Sequence, residues 1–287
     1  MGVITTRDHT LIRLLDKRGG KSMTTEADTA IASGDVNLHC HDIVSRDEWR
    51  VAREAFLKRE KEFFREKDRI AQERRALPWM RVDKTYVFDG PSGRRTLADL
   101  FEGRGQLIVQ HFMLAPGWNQ GCTGCSFMAD HSDGMNVHLE NRDATLVAVS
   151  RAPLAEIERF RARMGWKFRW VSSAGSNFNY DFAVSFSEAQ RAAGKAEYNY
   201  RPIDANSEEL PGISVFYKND AGDIFHTYST YGRGVEVMMG TYNMLDLLPN
   251  GRGENLSGPK MNWVRLHDSY EPAPSKAGCA CQTDDPA

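Results

Sequence analysis

The stretch HFMLAPGWNQGCTGCSFMAD, residues 111–130, decides how the rest of the chain is interpreted. It begins within a nearly continuous apolar run, residues 106–113, which is typical of a central strand buried on both faces. A short loop follows and leads to Cys122 and Cys125, after which the residues can continue as a helix. We therefore predict that Cys122 lies at a helix N-terminus, where unpaired N–H groups favour a thiolate, with Cys125 one turn later.

This arrangement predicts dithiol chemistry, in which one thiolate attacks a disulfide and its neighbour resolves the mixed disulfide. We expect Cys122 to be exposed and nucleophilic, and Cys125 to be less exposed and resolving. Trp118, in the loop just before the dithiol, is the candidate for lining a substrate groove. Zinc binding is an alternative, because zinc sites also use C-x-x-C pairs. The further ligands for zinc would come from His131, His138, Cys279 and Cys281.

On both sides of this stretch, apolar and turn patterns predict alternating strands and helices. The alternation predicts an α/β fold with a parallel core. A polar excursion over residues 174–210 separates this core from a predicted hairpin at the sheet edge. The predicted strands cover residues 86–88, 144–150, 168–172, 213–217 and 224–229, and the predicted helices cover residues 153–164 and 235–247.

Several segments resemble known sequences. TYVFDGPSGRRTLADLFEGRGQLIVQHF and TLVAVSRAPLAEIERFRARMGWKFRWVSS are similar to the peroxiredoxin-type (AhpC/TSA-like) branch of the thioredoxin-fold superfamily. More specifically, the opening stretch, NRDATLVAVSRAPLAEIERF, GSNFNYDFAVSF and FHTYSTYGRG resemble a thioredoxin-like family catalogued as a domain of unknown function. The likeness covers about residues 43–250. It implies a thioredoxin-like fold, with a central mixed sheet flanked by helices, and thiol-redox activity.

The resemblance also implies roles for individual residues. Cys122 and Cys125 take the places of the thioredoxin-type nucleophile and resolving cysteine. Pro211 is the candidate for the cis-proline that abuts the dithiol and shapes the substrate groove, and Gly212 fits that place as well. His111 stands roughly where thioredoxins keep a buried acid that handles the resolving cysteine's proton, so we include it among the catalytic candidates. The alternative for His111 is a satisfied core histidine.

Peroxide reduction is the second enzymatic hypothesis. Peroxiredoxins place a proline and a threonine or serine at set distances before the peroxidatic cysteine. Before Cys122, Asn119 holds the threonine or serine place and Pro116 stands one residue too close. The resemblance therefore supports the fold more than it supports a peroxide pocket.

A charged helix is predicted over residues 45–77. Ser45 and Glu48 form a capping box, and apolar residues then recur every seven positions at Trp49, Phe56, Phe63 and Ile70. Either the helix packs across its own domain or it forms a homodimer or partner contact, as in a non-catalytic interaction protein. We expect a flexible arm over residues 1–44 with the motif HCH around Cys40, a thioredoxin-like domain over 78–250 and a flexible tail over 251–287.

The composition excludes several classes of protein. The 287 residues carry 37 Lys and Arg against 39 Asp and Glu, a balance that argues against a nucleic-acid partner. We find no apolar run long enough to span a membrane, no secretory signal pattern and no phosphate-binding glycine loop. We therefore expect a cytoplasmic protein without membrane association, metal or organic cofactor. Its partners would be a protein or small-molecule disulfide substrate and an unidentified thiol reductant.

Overall fold

The computed structural model describes residues 41–254 and 260–271, and its first element is the helix α1 (Arg46–Arg75). The capping box forms as predicted, since the Ser45 hydroxyl accepts from the Glu48 N–H while the Glu48 carboxylate accepts from the Ser45 N–H. No residue of α1 is buried. Of the two alternatives for this helix, packing across its own domain is contradicted, because even Trp49 and Phe63 on its apolar row are 59% and 65% exposed. At the C-terminal end of α1, the Arg74 guanidinium lies 4.8 Å from the ring centre of Tyr228.

The rest of the described chain forms one mixed eight-stranded sheet, a separate two-stranded hairpin and short helices on both faces of the sheet. The strands are β1 (Met80–Arg81), β2 (Val87–Gly90), β3 (Gly93–Thr96), β4 (Gln106–His111), β5 (Ala144–Ser150), β6 (Arg169–Ser172), β7 (Ala196–Tyr198), β8 (Arg201–Ile203), β9 (Gly212–Lys218) and β10 (Ile224–Tyr231). The remaining helices are α2 (Thr123–Ala129), α3 (Ser132–Asn141), α4 (Leu154–Met164), α5 (Phe178–Asp181), α6 (Glu188–Ala192) and α7 (Gly240–Leu245).

The sheet order is β1-β10-β9-β4-β5-β6-β2-β3, and β7 pairs with β8 outside it. The central strands β4, β5 and β6 run parallel, and β9 runs antiparallel to β4. Helix α2 follows β4, and α4 makes the crossover from β5 to β6. This arrangement confirms the predicted α/β, thioredoxin-like fold with a central mixed sheet.

Two hydrophobic clusters lie on opposite faces of this sheet, and the side chains of β4 and of the residues just after it divide between them. Leu107 and Val109 belong to one cluster, whereas Ile108, Phe112 and Leu114 pack into the other. The division follows from the two-residue period of a strand. All seven residues of β5 are buried, as its largely apolar sequence predicts. Residues on the Phe112 side of β4 therefore face α2 and the dithiol.

Two element predictions need correction. The hairpin of β9 and β10 is not the sheet edge, because β9 lies between β10 and β4 and β1 adds a short strand outside β10. The predicted helix over residues 235–247 is a 3-10 helix, Gly232–Met238, followed by α7. Met239 separates the two with a non-helical backbone (φ −96°, ψ 74°).

The predicted flexible tail is wrong for residues 260–271. Val264 and Leu266 are only 2% and 3% exposed and join the cluster that contains Phe112 and Cys125. Residues 272–287, with Cys279 and Cys281, and residues 1–40, with Cys40, lie outside the described residues. Among the described residues, no helix has the length and apolar composition needed to cross a membrane.

Candidate dithiol site

The loop between β4 and α2 places the first cysteine. The Cys122 N–H donates to the Met113 carbonyl over 3.1 Å, which closes the loop onto the end of β4. Gly121 allows this approach, because a Cβ there would lie 2.5 Å from a ring carbon of Phe112 and 2.7 Å from one of Phe160. Cys122 is then the N-cap residue of α2. The predicted order of strand, loop and cysteine-headed helix is therefore confirmed.

The two thiols are free and differ in burial. Cys122 is partly exposed, whereas Cys125 is 1% exposed. The Cys125 thiol donates to the Cys122 sulfur, and the N–H groups of Gly124 and Cys125 also point at that sulfur. These hydrogen bonds outweigh desolvation and lower the pKa of Cys122 to about 6. The pKa of Cys125 is raised, first by its hydrogen bond to Cys122 and then by burial.

Gln110 and Met113 hold Cys125 against the end of β4. The Gln110 side-chain amide donates to the Cys125 carbonyl over 3.2 Å. The Met113 N–H approaches the Cys125 sulfur at 3.5 Å, which opposes the rise in its pKa. Gln110 is 1% exposed, so this contact is buried. Gln110 was not among the predicted site residues, although it lies next to the candidate His111.

His111 faces away from the thiols. Its ring contacts those of Phe178 and Phe182, and its Nε2 lies 2.8 Å from the Ser214 hydroxyl. Strand alternation gives the reason, since His111 and Gln110 occupy opposite faces of β4. Burial lowers the pKa of His111 to about 3, with a smaller contribution from His226. The catalytic assignment of His111 is therefore corrected to a neutral core histidine.

The segment before β9 contributes a buried acidic group, Glu209. The charge of Glu209 contributes to the raised pKa of Cys125. Glu209 forms an ion pair with the Nε of Arg151 and accepts from the Ser185 hydroxyl over 2.8 Å. Arg151 also binds Glu208 at 2.6 Å. Burial raises the pKa of Glu209 even though Arg151 opposes the shift.

One signal for this cluster was available in the sequence. Arg151 follows β5, and the carboxyl ends of adjacent parallel strands meet at one edge of a sheet, where ligands commonly bind. Arg151 therefore lies at the same edge as the dithiol that follows β4. Glu208 and Glu209 had no comparable signal, because they close a long irregular segment.

The peptide bond before Pro211 is trans, since the described residues contain no cis peptide bond. The cis-proline assignment is therefore wrong. The Pro211 carbonyl accepts from the Tyr198 hydroxyl over 2.6 Å, and the charge of Cys125 contributes to the pKa of Tyr198, which burial raises to about 12. Gly212 pairs with His111 in the sheet and leaves room for the Tyr231 ring, which would lie 2.8 Å from a Cβ there. Gly212 was predicted to line a substrate groove, and in the structure it instead packs against the Tyr231 ring.

Trp118 is half-buried beside the dithiol loop. Its indole N–H donates to the Glu208 carboxylate over 3.3 Å, which joins it to the Arg151 cluster. Its ring packs against the same hydrophobic cluster as Cys122. The structure thus brings Trp118 to the side of the site that Glu208 and Arg151 occupy.

The described residues contain no group of three His, Cys, Asp or Glu side chains that could hold a metal ion. His131, one of the ligands considered for zinc, has both ring nitrogens occupied. Its Nδ1 lies 2.8 Å from the Phe127 carbonyl and its Nε2 lies 2.9 Å from the Thr241 hydroxyl. His138 is exposed on α3.

Comparison with known proteins gives the following similarities. No curated protein matches the chain. Peroxidoxin BcpB from Mycobacterium tuberculosis is 13% identical, with a TM-score of 0.37 over 55% of this chain and 91% of that one. A cysteine-to-serine mutant of PrxQ from Xylella fastidiosa is 15% identical, with a TM-score of 0.36 over 55% and 88%. The yeast mitochondrial 1-Cys peroxiredoxin is 15% identical, with a TM-score of 0.33 over 59% and 78%.

The sequence itself matches a family more fully. The profile of a family described as bacterial protein of unknown function, DUF899, matches residues 38–270. The match includes α1, the whole sheet, the dithiol and nearly all of residues 260–271. This confirms the predicted resemblance to a thioredoxin-like family of unknown function. The chain belongs to the DUF899 family.

Proposed function

We propose that this protein is a dithiol–disulfide oxidoreductase in which Cys122 is the nucleophile and Cys125 is the resolving thiol. The observation that carries the proposal is the geometry of the pair, because Cys122 is the partly exposed N-cap residue of α2 and Cys125 lies buried one turn later. The partly exposed thiol is acidic, with a pKa of about 6, and the buried thiol keeps its proton. A scaffold protein needs no such difference between its cysteines.

The reaction proceeds in two exchange steps. The Cys122 thiolate attacks one sulfur of a substrate disulfide, forms a mixed disulfide and releases the other sulfur as a thiolate. Cys125 loses its proton to solvent or to the departing thiolate and attacks the Cys122 sulfur. The intramolecular disulfide forms and the second substrate thiolate leaves. The substrate gains two electrons, the dithiol loses two, and an external thiol reductant restores the dithiol.

Cys122 loses its negative charge when it forms the mixed disulfide, and this loss favours the later attack by Cys125. While Cys122 is a thiolate, its negative charge and its hydrogen bond hold the pKa of Cys125 high. Formation of the mixed disulfide removes that charge, so the pKa of Cys125 falls at the step that requires its thiolate. Premature ionisation of Cys125 is disfavoured by the same interaction. This sequence requires neither a metal nor an organic cofactor.

Reduction of a peroxide is the second candidate function, because an acidic Cys122 with a neighbouring thiol suits it as well. The thiolate would attack the peroxide O–O bond, giving a sulfenic acid and an alcohol or water. Condensation with the Cys125 thiol would then give the disulfide and water. Arg151 could orient a peroxide only by leaving the carboxylates of Glu208 and Glu209. We therefore place disulfide exchange first.

The test counts thiolate released from the chromogenic dinitrobenzoate disulfide, in a background with Cys40→Ser, Cys279→Ser and Cys281→Ser. Reduced protein should release two equivalents and end with an intramolecular disulfide. Cys125→Ser should release one equivalent and retain the mixed disulfide. Cys122→Ser should react roughly tenfold more slowly, because the remaining thiol is buried and protonated.

Equal, slow reaction of the two single-cysteine variants would overturn the proposal, because it would show that neither thiol is activated. A parallel titration with hydrogen peroxide separates the two candidate functions. If the reduced protein is oxidised faster by peroxide than by the disulfide at equal concentration, peroxide reduction takes first place.

A further inference from the structure

The last described segment, residues 260–271, returns to α2, and we call it the strap. Its apolar anchors are Val264 and Leu266, both buried in the cluster that contains Cys125. The ring of Trp263 lies 5.8 Å from that of Phe127, which belongs to α2. Burial of Val264 and Leu266, together with the partly buried Trp263, fixes the strap against the helix that carries the dithiol.

Polar contacts fix the strap at both ends. At its start, the Met261 N–H donates to the Glu254 carboxylate over 3.1 Å. Towards its end, the His267 Nδ1 lies 2.6 Å from the carboxylate of Asp130, the residue that closes α2. Asp268 then binds Arg163 through two oxygens, at 2.8 and 3.1 Å. The strap is therefore an ordered part of the domain next to the dithiol.

Met261 is the strap residue that reaches the dithiol. A Cβ at Gly124, which lies between the two cysteines, would be 3.3 Å from Cε and 3.7 Å from Sδ of Met261. The same position lies 3.8 Å from the Cys122 sulfur. The thioether and the nucleophilic sulfur thus border one point on the surface of α2. Met261 takes the place that a larger side chain at position 124 would occupy.

The backbone of Met261 supports a specific role. Its φ of +62° lies in the left-handed region, which residues other than glycine and asparagine seldom adopt. Strain of this kind persists only where the surrounding contacts hold it. Here the hydrogen bond to Glu254 and the packing of Trp263 provide those contacts, and together they direct the thioether towards Gly124.

We propose that Met261 closes one side of the dithiol site and restricts its substrates to small disulfides, excluding disulfides held in a folded protein surface. This inference rests on the proposed function and names its substrate class. In thiol–disulfide exchange the attacked sulfur must approach the Cys122 sulfur directly. Cys122 is only partly exposed, and the strap stands beside it. A small disulfide can enter past the strap, whereas a folded protein would have to displace it.

The experiment compares hydroxyethyl disulfide with insulin as substrates of the reduced protein, for wild type, Met261→Ala and Met261→Leu. Met261→Ala should raise the insulin rate about tenfold, equivalent to 1.4 kcal/mol in the barrier, and change the small-disulfide rate little. Met261→Leu keeps the side-chain volume and should behave as wild type. Met244→Ala removes a thioether from the exposed side of α7 and is the matched control.

Met261→Gly is a second test, because glycine adopts a φ of +62° without strain and the backbone of the strap should be preserved. It should reproduce the effect of Met261→Ala. The inference is overturned if both variants leave the ratio of insulin rate to small-disulfide rate unchanged. Failure of the proposed function would give a different result from failure of this inference. Wild type and both variants would then reduce neither substrate, although Cys122 would still react with an alkylating reagent.

Discussion

Glu209 and Arg151 form an ion pair that is largely removed from solvent, with side chains that are 1% and 13% exposed. Glu209→Gln should remove the charge while keeping the size and the hydrogen bond to Ser185. We expect a loss of about 1–3 kcal/mol in the free energy of unfolding, because the Arg151 guanidinium loses its buried carboxylate partner and keeps only the more exposed Glu208. The pKa of Cys125 should fall, since the Glu209 charge raises it.

Urea unfolding and thiol titration in a Cys122→Ser background measure these two effects. Glu208→Gln is the matched control, because Glu208 binds the same guanidinium but its side chain is 36% exposed. Its loss of stability should stay below about 1 kcal/mol. Equal losses for the two variants would contradict the assignment of Glu209 as the buried partner.

The reactivity of Cys122 should follow a titration with a midpoint near pH 6, which is its pKa. The thiolate is the nucleophile, so the alkylation rate should rise through that pH and level off above it. Cys125→Ala removes the largest cause of the low pKa and should move the midpoint towards about 8.5, the value of a free cysteine. Timed iodoacetamide labelling across pH measures both curves.

Ser126→Ala is the control for this titration, because the Ser126 hydroxyl donates to the Cys122 carbonyl and not to its sulfur. Its midpoint should stay near that of wild type.

The low pKa of Cys122 also makes the stability of the protein depend on pH. A thiol whose pKa is lowered on folding stabilises the protein above its unfolded pKa, and this contribution is lost as pH falls through about 6.

The local parts of the site could be predicted from sequence, because they depend on neighbouring residues. The capping box at Ser45, the buried strands and the order of strand, loop and Cys122 all follow from short patterns. His111 shows the limit of such patterns. Adjacent residues of a strand face opposite sides of the sheet, so a shift of one position makes Gln110, and not His111, the residue that faces Cys125. The resemblance placed the histidine only approximately along the strand.

The distant parts of the site had no such pattern. The charge of Glu209 acts on Cys125, and the Met261 side chain lies beside Gly124, only after the sheet and the strap have folded. Val264 and Leu266 are apolar residues in a polar, Gly- and Pro-containing segment, and they show no periodicity that would predict burial. The apolar residues that recur every seven positions on α1 are exposed, and their pattern does not name the surface that would cover them. Homodimerisation through α1 stays a prediction.

His111 should make the stability of the protein sensitive to acid. Its pKa is about 3 in the folded chain, against an ordinary value near 6.5, so the unfolded chain binds more protons between these pH values. Stability should therefore fall as pH drops from about 6.5 towards 3, by at most ~4 kcal/mol from this group. Urea unfolding at a series of pH values measures the slope.

His111→Leu should flatten that slope, because leucine binds no proton. It should also cost about 1 kcal/mol at neutral pH through the lost hydrogen bond to Ser214. His138→Leu, at an exposed position on α3, is the matched histidine-to-leucine substitution with which the His111→Leu slope is compared. An unchanged slope in His111→Leu would show that the acid sensitivity arises from other groups.

Gly212→Ala tests the packing role found for Gly212. The added Cβ would lie 2.8 Å from a ring carbon of Tyr231 and 3.1 Å from a methyl of Val184. The Tyr231 ring cannot move freely, because its hydroxyl donates to the Phe182 carbonyl over 3.0 Å. We expect a loss of about 1–3 kcal/mol in the free energy of unfolding, as for other overpacked cores.

Gly134→Ala provides the opposite case in the same protein. Gly134 lies in α3 with open space around its Cβ position, so alanine should fit and should stabilise the helix by about 0.5–1 kcal/mol. Urea unfolding of the two variants should therefore shift the midpoint in opposite directions. If Gly212→Ala matches wild type, the Tyr231 ring has room to move, and the strand position of Gly212 does not depend on the absence of a side chain.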